Sequence, residues 1–175
     1  MRPGGTALKA RHLILLLLFG AIAAQCVYYY PLLPEMVASH YGTGGRPNGW
    51  SSRTGFYAIY LGMVTVMPPA FFVLPILLRK FQVQQINIPN RHYWLAPERR
   101  EQAYAMLANE MAWFGNVILG FLLGMMQLVF EANVAAEAGQ RRLPEAQFLT
   151  LLGIFLAFVV FWIVRLYRRF AKPSP

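Results

Sequence analysis

Residues 13–30 read LILLLLFGAIAAQCVYYY, and three more apolar runs follow at 56–78, 111–130 and 148–164. A bilayer hydrocarbon core about 30 Å thick takes about 20 helical residues at ~1.5 Å each. Inside it every backbone N–H and C=O must be satisfied within the segment, which leaves helices as the solution for an open chain. The sequence therefore predicts an all-α polytopic membrane protein with four transmembrane helices, one membrane domain over residues 1–175. Composition agrees. The chain is 57% hydrophobic and 13% charged, where a soluble domain carries about 25% charged residues.

The first run invites a competing reading. Arg2, Lys9 and Arg11 precede it and Ala21-Ile22-Ala23 lies within it, as in a secretory signal peptide. Gln25 before Cys26 suits a lipoprotein cleavage site poorly. Tyr28, Tyr29 and Tyr30 form an aromatic interface anchor that a cleaved peptide does not need, so the expectation is a retained helix. Cys26 is the single cysteine, which excludes an internal disulfide and C-x-x-C chemistry.

Within the second run, Pro68, Pro69 and Pro75 each remove a backbone donor. They predict a kinked helix packed on its neighbours, with the broken helix of a small transporter as the functional alternative. The third run is expected to continue a helix that starts near Pro97 and Glu98, reaching about 50 Å. Gly120 and Gly124 form a small-residue pair, as do Gly20 and Ala24. Such pairs serve close packing within the chain or a homo-oligomer. Gln25, Asn116 and Gln127 are the strong polar residues inside spans, and hydrogen bonds between helices account for them.

The net charge of +9 does not imply nucleic acid, because the cations sit at the ends of apolar runs rather than on one face. Arg2, Lys9 and Arg11, then Arg79, Lys80, Arg91, Arg99 and Arg100, then Arg165, Arg168, Arg169 and Lys172 lie on one side. Only Arg46, Arg53, Arg141 and Arg142 lie on the other. The positive-inside rule then places both termini in the cytoplasm of a bacterial inner membrane, residues 79–110 inside and residues 31–55 outside.

The outer loop holds the least membrane-like sequence, HYGTGGRPNGW at 40–50. Glu35 to Tyr41 is expected to form a short helical turn. Arg46-Pro47-Asn48-Gly49 suits a β-turn, and Ser51 or Ser52 can cap the second helix. Glu35 and His40 admit a second chemistry, a metal-dependent membrane enzyme. A metal site needs three or more protein ligands, for which Glu131, Glu137 or Glu145 would have to fold in. No metal ligand set is assigned.

LPEMVASHYGTGGRPNGWSSRTGFYAIY resembles the short segment that defines a bacterial membrane family of unknown function. The same segment occurs near the start of membrane immunity proteins that protect cells from a sporulation-delaying toxin. Pro34, His40, Tyr41, Gly45, Pro47, Asn48, Gly49, Trp50 and Ser52 carry the resemblance. INIPNRHYWLAPERR, residues 86–100, is similar to a stretch found in small stand-alone members. The resemblance implies a membrane protein and no defined activity.

The inner connection has its own pattern. FQVQ and QINI alternate as short extended pieces do. Arg91, Tyr93, Trp94, Arg99 and Arg100 are expected to dock on anionic headgroups or a cytosolic partner. No histidine occupies a span centre, so a paired-histidine haem is not expected, and no cofactor is. No ionisable side chain lies near a span centre either, as an ion-coupled pump would require. Glu110 is expected at the cytosolic boundary, in reach of water. These features favour a non-enzymatic accessory, signalling or immunity-like protein. Its outer loop would meet a membrane protein or peptide partner through His40, Arg46, Asn48 and Trp50, with Glu35 and Tyr41 supporting.

Overall fold

A computed structural model describes residues 4–80, 86–135 and 141–171, with the side chains of residues 4–9 left aside. The FQVQ segment, Glu137 and Lys172 lie outside the described residues. The order is α1 (Gly4–Tyr29), β1 (Met36–Tyr41), β2 (Pro47–Ser52), α2 (Arg53–Leu78), α3 (Arg91–Trp94), α4 (Arg100–Val134) and α5 (Glu145–Ala171). Four of these helices, α1, α2, α4 and α5, are long and apolar enough to cross a membrane. The α2 helix runs through all three of its prolines. The α4 helix begins three residues after Pro97 and spans about 50 Å.

The longest helix, α4, is the axis on which α1, α2 and α5 pack. Polar side chains do the bridging that their positions inside apolar runs predict. Tyr60 Oη donates to Gln25 Oε1 at 2.9 Å, and Gln25 Nε2 donates to Gln127 Oε1 at 2.9 Å and Leu123 O at 3.1 Å. Gln127 Nε2 in turn donates to Tyr29 Oη at 2.7 Å. Asn116 Nδ2 ties α4 to α1 by donating to Arg11 O at 2.9 Å. Around this chain of bonds, Tyr29, Tyr57 and Phe130 stack, with centroids 4.9 and 5.7 Å apart, and Phe56 and Tyr60 meet the Phe130 ring edge-on.

Close approach of backbones occurs at a glycine that the small-residue pairs do not include. A Cβ on Gly115 would stand 3.0 Å from Pro68 O and 3.1 Å from Phe71 Cβ, so this position lets α2 lie against α4. Gly124 meets Leu151 of α5, whereas Gly20 and Gly120 have open space beside them. The α5 helix follows α4 through aromatic pairs one heptad apart. Phe121 stacks on Phe155 at 4.2 Å and Phe114 on Trp162 at 4.3 Å.

Two expectations are overturned at the end of the bundle away from the strands. Glu110 does not reach water: it is buried, and its Oε1 accepts from Arg165 Nη2 at 3.3 Å and from Arg169 Nη1. A carboxylate buried at this depth needs hydrogen-bond partners, and the two guanidiniums supply them. Trp94 is not on a docking surface but buried. Its Nε1 donates to Phe170 O at 2.8 Å, and Asn90 Nδ2 donates to Ala171 O at 2.7 Å. Together they satisfy the last carbonyls of α5, which have no intrahelical donors. Arg99 and Arg100 remain exposed, Arg91 and Tyr93 are half-buried, and the Arg99 guanidinium lies over the Tyr93 ring at 4.2 Å.

Candidate functional site

Residues 36–52 form a two-stranded antiparallel hairpin, not the helical turn expected from Glu35 to Tyr41. The chain reverses over Thr43–Gly45, so Pro47-Asn48-Gly49 belongs to β2 rather than to the turn. Gly44 and Gly45 carry the reversal with φ of +73° and +67°, a region costly for other residues. Register slips on both sides of His40, which pairs with Gly49. The imidazole lies against that glycine, where a Cβ would come within 2.9 Å of His40 Cβ.

The hairpin is fixed to the bundle from three directions. From α4, Asn133 Oδ1 accepts from Ala38 N at 2.8 Å, while Asn133 Nδ2 donates to Ala38 O at 3.1 Å and Tyr41 Oη at 3.0 Å. One side-chain amide thus satisfies both backbone groups of Ala38 on the outer edge of β1, as a neighbouring strand would. From the segment before α5, Leu143 N donates to Gly45 O at 2.9 Å. Arg141 Nη1 donates to Met36 O at 2.6 Å, with its guanidinium over the Trp50 ring at 5.1 Å. From α2, Arg53 Nη1 donates to Leu33 O at 3.0 Å and Tyr30 O at 3.3 Å, and Ser52 caps the helix by accepting from Gly55 N at 3.1 Å.

These ties hold the hairpin against the bundle while several of its side chains stay exposed. Val37 and Ala38 are fully buried. His40, Arg46, Asn48 and Trp50 are all exposed, the last two alternating along β2 as strand geometry requires. No hydrogen bond joins Glu35 to His40: the His40 Nδ1 lies 3.0 Å from Ser39 Oγ, and Glu35 takes part through its backbone carbonyl, which accepts from Arg53 N at 2.8 Å. Among the described residues no group of three His, Cys, Asp or Glu could hold a metal. The carboxylate that shares a cleft with His40 is Glu145. That cleft, about 290 Å³, has Ser39, His40 and Tyr41 above and Met125, Val129 and Phe148 below.

Tyr41 is the titratable group of this region with a displaced pKa. Burial pushes its phenol above the usual value, and the bond with Asn133 and the charge of Arg141 only partly offset this. Tyr41 therefore stays neutral at physiological pH.

Asn133, Arg141 and Leu143 are the residues that sequence reasoning missed. Asn133 ends an apolar span as a helix-terminal polar residue would, and nothing in its neighbourhood signals a partner 95 positions earlier.

Residues 15–64 match a domain of unknown function, DUF1648. The match runs from α1 through the hairpin into the first half of α2, leaving Asn133, Arg141 and Leu143 outside it. No curated protein and no solved structure matches the chain. The chain thus carries a DUF1648 domain at residues 15–64, set in a bundle of four helices long and apolar enough to cross a membrane.

Proposed function

We propose that this chain is a non-enzymatic accessory or signalling protein of a bacterial inner membrane, immunity-like in role, whose hairpin recognises a membrane protein or peptide. The observation that carries this reading is that a hairpin fixed to the bundle at several points still exposes polar and aromatic side chains. His40, Arg46, Asn48 and Trp50 are each exposed on a scaffold held by Asn133, Arg141 and Arg53. Conformationally fixed polar and aromatic side chains bind with little ordering cost. Tryptophan and arginine are also the residues most often at the energetic centre of interfaces.

The test is recovery of the tagged protein from native membranes in mild detergent, beside its Trp50→Ala and His40→Ala forms. A companion identified by mass spectrometry with the parent and lost with both variants supports recognition by the hairpin. Equal recovery with all three removes the hairpin from recognition.

The same reading places the hairpin outside and both termini in the cytoplasm, supported by the crowding of arginines and lysines at the opposite end. An Asn48→Cys change in a Cys26→Ala background should react with an impermeant maleimide in intact spheroplasts, and Glu98→Cys should not. The reverse pattern would invert the orientation.

A further inference from the structure

At the end of the bundle away from the hairpin, α4 and α5 enclose a cleft of about 240 Å³ bounded by Glu110, Trp113, Val117, Phe158, Trp162 and Arg165. Its charges do not balance. Arg165 and Arg169 share the one carboxylate of Glu110, which leaves one positive charge in excess. Both arginine side chains are 41–44% exposed, and each guanidinium has five N–H donors, more than Glu110 can take. Trp162, stacked on Phe114, forms the floor of the cleft beside them.

The walls are as telling as the rim. Phe158 and Val117 are apolar, and Phe161 beside them is 60% exposed. None of the apolar stretch of α5 is buried within the chain, so the cleft opens onto a surface that bilayer lipid would cover. A small free anion would satisfy the donors and leave this wall bare. A second copy of the chain would cover the wall, but a protein with 16 basic and 7 acidic residues has few carboxylates to bring to a cationic rim.

The geometry points to a binding site for one anionic phospholipid, its phosphodiester held by Arg165 with Arg169 beside it and an acyl chain lying along Phe158 and Phe161. Charge-assisted hydrogen bonds from arginine to phosphate supply the preference for an acidic headgroup. The depth of Glu110 fixes the arginines that provide it.

The experiment is native mass spectrometry of the full chain in neutral detergent. It is offered phosphatidylglycerol and phosphatidylcholine of identical acyl chains, with and without inorganic phosphate. Retention of phosphatidylglycerol should exceed that of phosphatidylcholine by about tenfold. Arg165→Gln should abolish the preference and Arg169→Gln should reduce it about threefold. Arg168→Gln removes the same charge from the same helix away from Glu110 and should leave the preference intact. Thermal melts verify folding, and should Arg165→Gln fail to fold, Arg169→Gln decides. Equal retention of the two lipids overturns the site, as does an equal loss in the Arg165 and Arg168 variants. Displacement of lipid by inorganic phosphate, or dimers in place of lipid adducts, overturns it in favour of a plain anion or a second copy.

Discussion

Asn133 Oδ1 accepts the backbone N–H of Ala38 at 2.8 Å and its Nδ2 returns a bond to the Ala38 carbonyl at 3.1 Å, joining positions 95 residues apart. Both Ala38 groups are buried, so removal of the amide leaves a donor and an acceptor unpaired, at about 1–3 kcal/mol each. Asn133→Leu should therefore destabilise the protein by about 2–4 kcal/mol. Hydrogen exchange should show the Ala38 amide losing protection while the amides of α4 keep theirs. Unchanged protection at Ala38 would remove Asn133 from the docking of the hairpin.

Gly45 tests the second tie. A Cβ there would sit 2.1 Å from Leu143 O, and the residue has φ +67°. Gly45→Ala should push residues 141–143 off the turn and free Arg141 from Met36. Trypsin should then cut at Arg141 or Arg142 faster than in the parent. Equal cleavage rates would show that this segment does not depend on the turn.

Tyr41 sets a pH limit. Its phenol is raised by burial, above the unfolded value of about 10. An acid whose folded pKa is raised contributes stability that is complete below the unfolded value and is lost as pH climbs through the folded one. Docking of the hairpin should thus hold through neutral pH and weaken above about pH 10. Trp50 fluorescence followed against pH should show this transition, and Tyr41→Phe should remove it. A transition that persists in Tyr41→Phe would assign the titration elsewhere.

The Tyr60–Gln25–Gln127 chain predicts non-additivity. Gln25→Leu leaves Tyr60 Oη and Gln127 Oε1 without their partner, and side-chain bonds between membrane helices are worth about 0.6–2 kcal/mol. Tyr60→Phe in the Gln25→Leu background should cost less than it does alone, since the hydroxyl it removes is already orphaned. Detergent unfolding of the two single variants and the double variant measures the coupling. Additive losses would show that the two residues act separately.

The sequence spoke clearly where the information was local. The four spans follow from run length, the Ser52 cap from its position before α2, and Gln25, Asn116 and Gln127 from polarity inside apolar runs. The hairpin was hidden because Val37 and Ala38 are both buried. That blurs the period-two alternation by which a half-buried strand is recognised. Pro47 and Gly49 read as a turn because their composition is that of one, whereas the reversal rests on Gly44 and Gly45. Glu110 and Trp94 read as surface residues because their partners, Arg165, Arg169 and Phe170, come from the far end of the chain. Polar chemistry is legible in a sequence; the pairing of distant polar groups is not.

Ser52 is both the last residue of β2 and the cap of α2, and Arg53, the first helical residue, holds the carbonyls just beyond α1. Strand and helix are therefore welded at a shared residue, with no slack between them. The hairpin cannot swing as a loop swings: to tilt, it must unwind the first turn of α2 or break the clasp on the end of α1. What reads in the sequence as an outer loop between two spans is mechanically an extension of both, and it moves only when they do.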